Sequence, residues 1–147
     1  MGSCVFCDIV AGVAPAARVY EDDDVVAFLD ARPVARGHVL VVPREHVSRL
    51  ENLDPELGAA MFRAGQRLAR ALTRSSLPTE GTNLVLNDGR AAFQSVFHAH
   101  LHVLPRRKGD RIRLGVGLVR RRAHDPDATA AAIRAGLDRL ASEEKNP

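Results

Sequence analysis

The sequence predicts an α+β protein with an antiparallel five-stranded sheet and helices on one face. Two observations support this prediction. Short apolar runs follow one another directly in the first third of the chain, which favours neighbouring antiparallel strands. Two longer segments repeat apolar residues at steps of three and four, which is typical of amphipathic helices. With 147 residues, the chain has the length of one domain that can bury its own core.

The first elements are a short helix and three strands. The helix is predicted over 4–11, with Ser3 as its N-cap and Gly12 at its end. An acidic turn separates the first strand from the second, and Pro43 ends the third. The three strands are predicted at 18–21, 25–30 and 38–43.

Next comes the clearest helix, over 54–72. Asp54 is a good N-cap and Pro55 suits the first helical position. The apolar residues that mark its buried face are Leu57, Met61, Ala64, Leu68 and Leu72. Two more strands are predicted at 82–88 and 96–105, and a last helix begins at Asp125-Pro126 with an apolar side formed by Ile133, Leu137 and Leu140.

The net charge of +3 comes from a local excess of basic residues. We interpret this segment as a solvated face rather than a nucleic-acid surface, because the chain lacks Trp and has few aromatic residues for base stacking. The basic residues are Arg106, Arg107, Lys108, Arg111, Arg113, Arg120, Arg121 and Arg122. No apolar run approaches the ~20 residues of a membrane span, and no secretory signal is evident. A cytoplasmic location is therefore expected. Because that compartment is reducing, Cys4 and Cys7 are not expected to form a disulfide.

Three histidines recur at every second position: His98, His100 and His102. On a regular strand they share one face, with neighbouring imidazoles ~6.6–6.8 Å apart. All three therefore cannot hold one metal ion, whose bonds to nitrogen are ~2.0 Å long, although a neighbouring pair could. The opposite face is wholly apolar and is expected to pack under the helices; it consists of Phe97, Ala99, Leu101 and Val103.

Aligned imidazoles suit phosphoryl chemistry. A neutral imidazole is a nucleophile, and its neighbours can donate hydrogen bonds to the oxygens of a phosphate under attack. A metal site that uses two of the three histidines stays open as an alternative. Histidines with a purely structural role would not need three rings in register above an apolar reverse face.

The segment Gln94-Ser95-Val96-Phe97-His98-Ala99-His100-Leu101-His102-Val103 resembles the signature of the histidine triad (HIT) superfamily. Four flanking segments match in order and spacing, so that the resemblance runs from about residue 4 to 106. They are CVFCDIVAG (4–12), VVAFLD (25–30), GHVLVVPREH (37–46) and LNDG (86–89).

The resemblance implies a nucleotide-binding hydrolase or transferase that acts at the α-phosphate of a nucleotide conjugate. By position, His100 would attack phosphorus, and His102, Ser95 and Gln94 would surround the phosphate. The nucleoside would contact Phe28, Leu29 and Asp30, and Asn87 would hold ribose or phosphate. The substrate would be a phosphoramidate or a dinucleoside polyphosphate, with the match leaning towards the Hint-like branch and a purine base. A homodimer is also implied, with the sheet completed by dimerisation.

Cys4-x-x-Cys7 can supply two ligands of a tetrahedral zinc ion, which needs two more. The resemblance implies that these are His46 and His98, in a closed structural site that ties the N-terminal helix to the sheet. A pair of buried thiols without metal is the alternative. His38 is expected to line the phosphate site or to serve as a structural histidine, and His124 to lie on the surface.

Two departures from the family pattern stand out. Phe93 occupies the position before Gln94 where the family usually has Gly. After Pro105 no family segment matches, so a single HIT-like domain over 1–147 would carry a basic loop and an extra helix at 106–147. The alternatives to a HIT-type hydrolase are a metal-dependent hydrolase that uses two triad histidines and a non-catalytic nucleotide-binding regulatory protein.

Overall fold

The computed structural model of the protein describes residues 3–112 and 125–147. Within them the chain forms three α-helices and five β-strands. The helices are α1 (Val5–Val10), α2 (Pro55–Thr73) and α3 (Pro126–Lys145). The strands are β1 (Arg18–Glu21), β2 (Val25–Leu29), β3 (Val39–Pro43), β4 (Gly81–Leu86) and β5 (Leu101–Arg106).

The five strands form one antiparallel sheet in the order β1-β2-β3-β5-β4. The predicted α+β class and five-stranded antiparallel sheet are therefore confirmed. In the centre, Leu40 of β3 is paired with His102 of β5, and Val85 of β4 is paired with His102 from the other side. β5, which contains the end of the histidine signature, thus lies in the interior of the sheet.

The two long helices pack on one face of the sheet, over a core built from alternate strand residues and the apolar sides of α2 and α3. Leu101 and Val103 of β5 point into this core, as do Leu68 of α2 and Ile133 of α3. A Cβ atom on Gly136 would lie 2.2 Å from the carbonyl oxygen of Ala71, so α3 can approach α2 this closely only because Gly136 has no side chain. The helix beyond the basic loop is therefore packed into the main core.

The short helix α1 packs on the opposite face of the sheet. Its buried residues Phe6 and Ile9 form a second apolar cluster with Phe28, Leu40 and other strand residues. Phe28 and Leu40 alternate with residues of the main core, so the two faces of β2 and β3 are both buried. This second cluster lies on the same face as His102, the strand partner of Leu40.

The predicted strand over 96–105 was wrong in its first half, because β5 begins only at Leu101. Phe93 adopts a left-handed conformation (φ 69°), and the N–H of Ala99 bonds to the carbonyl of Val47 in a loop rather than to a strand. The chain between them is therefore irregular. Phe97 is 36% exposed instead of packing under the helices, while Leu101 and Val103 are buried there as predicted.

Element ends differ from the sequence predictions in small ways. Cys4, not Ser3, caps α1, because its Sγ accepts a hydrogen bond from the N–H of Cys7. Asp54 caps α2 as predicted, and α3 begins where it was predicted to begin, with Asp125 as its N-cap. The strand predicted over 82–88 ends at Leu86. In the described part of the chain, no helix is both long and apolar enough to cross a bilayer. The predictions for His124 and for the basic residues Arg113, Arg120, Arg121 and Arg122 fall outside the described residues.

Candidate active site and metal centre

Four side chains converge beside α1: Cys4, Cys7, His46 and His98. Their donor atoms all lie within 4.8 Å of one another. The Sγ of Cys7 is 3.2 Å from Nδ1 of His46, and the Nδ1 atoms of His46 and His98 are 3.2 Å apart. One turn of helix supplies both thiols, the chain after β3 supplies His46 and the loop before β5 supplies His98. We call these four residues the metal-binding group.

The tautomer of His98 follows from its other ring nitrogen. Nε2 lies 2.8 Å from the carbonyl oxygen of Pro43, which can only accept, so Nε2 carries the hydrogen. Nδ1 therefore has the lone pair that faces the thiols and His46. Burial lowers the pKa of His98, and this favours the neutral ring that metals require.

The spacing of these donors fits a tetrahedral zinc ion. Zinc bonds of ~2.3 Å to sulfur and ~2.0–2.1 Å to nitrogen separate a nitrogen donor from its neighbours by about 3.3–3.6 Å and two sulfur donors by about 3.8 Å. Nδ1 of His98 has three such neighbours at 3.2–3.5 Å, the two Sγ atoms and Nδ1 of His46, although one lone pair accepts only one ordinary hydrogen bond. Two thiolates and two imidazoles are a common donor set of structural zinc sites.

A cavity of about 790 Å³ opens on the α1 face of the sheet. This volume suits a ligand of nucleotide size. Apolar residues from α1, β2 and β3 form most of its wall, including Phe6, Ile9 and Leu40. Of the predicted site residues, the cavity is lined by Phe28, Leu29, Asp30, Ser95, His100 and His102.

At the wall of this cavity, His100 is held in one tautomer by the backbone. Its Nδ1 lies 2.7 Å from the carbonyl oxygen of His98, so Nδ1 carries the hydrogen and Nε2 has the lone pair. Phe6 packs edge-on against the ring, with the centroids 5.1 Å apart. An imidazole with its lone pair on Nε2 is in the form needed for a nucleophile.

His102 is held in the opposite tautomer by a second buried histidine. The N–H of Val34 donates to Nδ1 of His38, so Nε2 of His38 carries the hydrogen and donates to Nδ1 of His102 at 2.9 Å. Nε2 of His102 therefore keeps its hydrogen and can donate at the cavity. His38 can reach His102 because it precedes β3 by one residue and lies diagonally across from His102 on the same face of the sheet.

Asp30 completes this chain of polar groups. Its Oδ2 is 3.7 Å from Nε2 of His38, and its Oδ1 accepts from the N–H of Arg32 at 2.9 Å. Sequence reasoning left the role of His38 open between a phosphate contact and a structural histidine. The structure places it behind His102, 2% exposed, as the residue that orients the ring of His102. The motif GHVLVVP placed His38 at the start of the strand, but only the strand register shows its partner.

Two predicted residues lie away from the cavity wall. Gln94 is buried, and its amide accepts from the N–H of Gly89 and donates to the carbonyls of Ser48 and Val96. It therefore shapes the loop that carries Ser95. Asn87 is half-buried directly after β4 and does not line the cavity.

The hypothesis that one catalytic metal binds two triad histidines finds no matching ligand group among the described residues. His98 belongs to the metal-binding group with the cysteines, and the second group of potential ligands joins His102 to Asp30 and His38. In that second group the 2.9 Å contact between the two rings is a hydrogen bond with its donor and acceptor assigned. The rings of His100 and His102 are also closer than the ~6.6–6.8 Å expected for a regular strand, because their centroids lie 4.9 Å apart.

The HIT domain model matches residues 11–109, which include the triad histidines and most of the cavity wall. The chain belongs to the HIT family. HIT proteins are nucleotide-binding hydrolases and transferases, so the coarse functional prediction is confirmed at the level of the family.

Relatives extend the match over nearly the whole chain. An uncharacterized HIT-like protein of Mycobacterium tuberculosis is 50% identical over 134 residues, which are 91% of this chain and 92% of that protein. A crystal structure described as a Zn-bound histidine triad family protein from Mycobacterium smegmatis has a TM-score of 0.88 at 49% identity and covers 96% of this chain and 97% of its own. Adenylylsulfatase HINT3 of Arabidopsis thaliana is 37% identical over 107 residues, 73% of this chain and 54% of that protein. The prediction of a zinc site is confirmed, because the metal-binding group of the chain described here is suited to this ion and its Mycobacterium smegmatis relative is described as Zn-bound.

Proposed function

We propose that this HIT protein hydrolyses nucleotide conjugates at the α-phosphate through a nucleotidyl-histidine intermediate on His100. The hydrogen bond from Nδ1 of His100 to the carbonyl of His98 supports this assignment above all, because it places a lone pair on Nε2 at the cavity. The substrate is a purine nucleoside phosphoramidate or a dinucleoside polyphosphate, and the product is the nucleoside monophosphate.

The reaction has two displacements at phosphorus. Nε2 of His100 attacks the α-phosphorus, a phosphorus–nitrogen bond forms, and the bond to the leaving group breaks. The leaving group takes the electron pair and obtains its proton from solvent. Hydrogen bonds from Nε2 of His102 and from the hydroxyl of Ser95 stabilise the charge on the phosphate oxygens. Water then attacks phosphorus, loses a proton to solvent and releases the monophosphate, which restores the lone pair of His100.

The other parts of the cavity suit the nucleoside. Phe28 and Leu29 offer apolar contact area to the base, and Asp30 offers an acceptor to the ribose hydroxyls. Gln94 acts on the phosphate indirectly, through the loop of Ser95 that its amide holds. Asn87 would reach ribose or phosphate only if the chain after β4 moved towards the cavity.

The metal-binding group would hold zinc in a structural role. Bound zinc would supply a cross-link between α1, the chain after β3 and the loop before β5. The ring of His98 belongs to this group, while its carbonyl oxygen accepts the hydrogen bond from His100. The metal-binding group thus supports catalysis by fixing the backbone that orients the nucleophile.

A homodimer is part of this proposal. β4 lies at the edge of the sheet, all six of its residues are half-buried, and Phe62 on α2 is 56% exposed. These features favour pairing through α2 and β4, which sedimentation equilibrium would test.

We also propose a single domain over the whole chain and a reducing, cytoplasmic setting, since both cysteines are free thiols in a metal-suited group.

The decisive experiment combines a substrate panel with a trapped intermediate. Adenosine and guanosine phosphoramidates and dinucleoside polyphosphates are assayed for monophosphate release, and a substrate labelled at the α-phosphorus is quenched in alkali during turnover. We expect the label on His100. A label elsewhere, or turnover without any labelled protein, would contradict the intermediate. Turnover that is lost on exhaustive chelation while the fold persists would favour the metal-dependent alternative, and monophosphate binding without turnover would favour a regulatory protein.

A further inference from the structure

The first turn of α3 forms part of the cavity wall, although it lies beyond the residues matched by the HIT domain model. The match ends at residue 109, and α3 begins at Pro126. Both Pro126 and Asp127 line the cavity, as does Arg32 just after β2. The C-terminal part of this chain therefore completes a cavity that the HIT domain leaves open.

Several contacts fix this turn in place. Nε of Arg36 donates to Oγ1 of Thr129 at 3.3 Å, which joins α3 to the loop between β2 and β3. Nη1 of Arg134 donates to the carbonyl of Arg18 at 2.7 Å, which joins α3 to β1. Together with the close packing of Gly136 on Ala71, these bonds make Asp127 a fixed part of the wall.

The charged groups of the cavity follow an order along the chain. A carboxylate oxygen of Asp30 lies within 4.8 Å of ring nitrogens of His38 and His102. The Oδ1 atom of Asp30 also accepts a hydrogen bond from the backbone N–H of Arg32, which follows it by two residues. The side chains of Arg32 and Asp127 are exposed, and neither makes a hydrogen bond or ion pair with another residue in ranges 3–112 and 125–147. Two exposed side chains of opposite charge thus line the cavity, in addition to Asp30, Ser95 and the two histidines, and a bound ligand can contact both of them.

We propose that Arg32 and Asp127 read the edge of the base and select guanine; this inference rests on the proposed function, which places the phosphate at His100 and the ribose at Asp30. Guanine presents an acceptor, O6, next to two donors, N1–H and N2–H. The guanidinium of Arg32 donates to O6, and the carboxylate of Asp127 accepts from N1–H and N2–H.

Adenine has the reverse pattern along the same edge. Its N6 amino group would face the donors of Arg32, and the lone pair of N1 would face the carboxylate of Asp127. A good bidentate contact to a base is worth about 1–3 kcal/mol of discrimination, and 1.4 kcal/mol is about tenfold in affinity. We therefore expect kcat/KM for guanosine phosphoramidate to exceed that for adenosine phosphoramidate by about tenfold.

The test measures this ratio in the full-length protein and in three variants. Asp127→Asn and Arg32→Gln each remove one charge from the pair, and both should bring the ratio to about one. Asp138→Asn is the matched control, because Asp138 is an exposed aspartate on the same helix and does not line the cavity; it should keep the wild-type ratio. Circular dichroism checks the helix content of each variant, since Asp127 also lies in the first turn of α3.

Binding of GMP and AMP, measured by calorimetry, separates this inference from the proposed function. If the protein binds GMP more tightly than AMP, and Asp127→Asn removes the difference, the base-reading pair is supported even where no substrate is hydrolysed. A wild-type ratio near one in both assays would overturn the inference while leaving the hydrolase intact. So would a ratio that neither folded variant changes, because Asp127 would then serve only the helix terminus.

Discussion

Two groups of imidazoles lie side by side in this protein and differ in the direction of their ring hydrogens. In the metal-binding group, His46 and His98 turn Nδ1 towards a common point with two thiols. Around the cavity, by contrast, His38 donates its ring hydrogen to His102, and His100 donates its ring hydrogen to the carbonyl of His98. Converging lone pairs are suited to a cation, whereas the directed hydrogen bonds leave a lone pair on His100 and a donor on His102 at the cavity.

His98 belongs to both groups, its ring to the first and its carbonyl oxygen to the second. The comparison therefore shows that neighbouring histidines with the same spacing carry the ring hydrogen on different nitrogens, because the partner of each ring differs. Residue type alone does not separate a ligand from a nucleophile. The comparison also predicts that a change in the cavity histidines should leave bound zinc unchanged, whereas the loss of a metal ligand should lower stability more than turnover.

The largest effect should come from His100→Ala, which removes the proposed nucleophile. We expect turnover to fall by at least about a thousandfold, as for other nucleophile deletions, while nucleoside monophosphate still binds and bound zinc is unchanged. Steady-state kinetics, calorimetry and metal analysis measure these three quantities. Turnover at the wild-type level would show that another group attacks phosphorus.

Cys4→Ser should act mainly on the other group. Losing one thiolate ligand should lower bound zinc and the melting temperature, by about 2–4 °C for each kcal/mol lost, because the metal links α1 to the sheet. Turnover per folded molecule should fall far less than in His100→Ala. Ser3→Ala is the control, since Ser3 neither caps α1 nor belongs to the metal-binding group. Equal metal content in Cys4→Ser and wild type would remove Cys4 from the ligand set.

His38→Phe sharpens the comparison among the histidines around the cavity, because phenylalanine has a ring but no hydrogen-bond donor. The substitution removes the donor that keeps the hydrogen of His102 on Nε2, so kcat should fall by about 10–100-fold, as for other orienting partners. KM and zinc content should change little, because His38 does not line the cavity and lies outside the metal-binding group. A rise in KM with unchanged kcat would instead indicate a role in binding.

The smallest effect should come from Phe93→Gly, in the loop that carries Ser95. Phe93 holds a left-handed backbone (φ 69°) while its side chain is 61% exposed, so it bears strain and buries little area. Glycine relieves the strain, and we expect stability to stay equal or rise by up to about 1 kcal/mol. Phe97→Gly is the matched control, because Phe97 is also exposed but has no positive φ, and it should lose stability. Urea unfolding of both variants measures the difference; a greater loss in Phe93→Gly would contradict the strain argument.

The fold was predictable wherever local pattern and tertiary packing agree. The apolar face of α2, with Leu68 and Leu72, and the caps Asp54 and Asp125 mark elements whose signals lie within a few neighbouring residues. The start of β5 was mispredicted because His98 alternates correctly for a strand, yet its ring is held by Pro43 and its segment by a loop contact to Val47. Distant partners overrode the local alternation there.

For the candidate site, the motif and its resemblance were enough to select the cysteines, the triad and the residues around the end of β2. They could not predict that His38 bonds to His102, that the amide of Gln94 bonds to the carbonyl of Ser48, or that Asp127 lines the cavity. Each of these contacts joins residues far apart in the chain. Alternation and capping act over a few bonds and can be read from the order of residues. Hydrogen positions and cavity walls depend on strand register and helix packing, which exist only once the chain has folded.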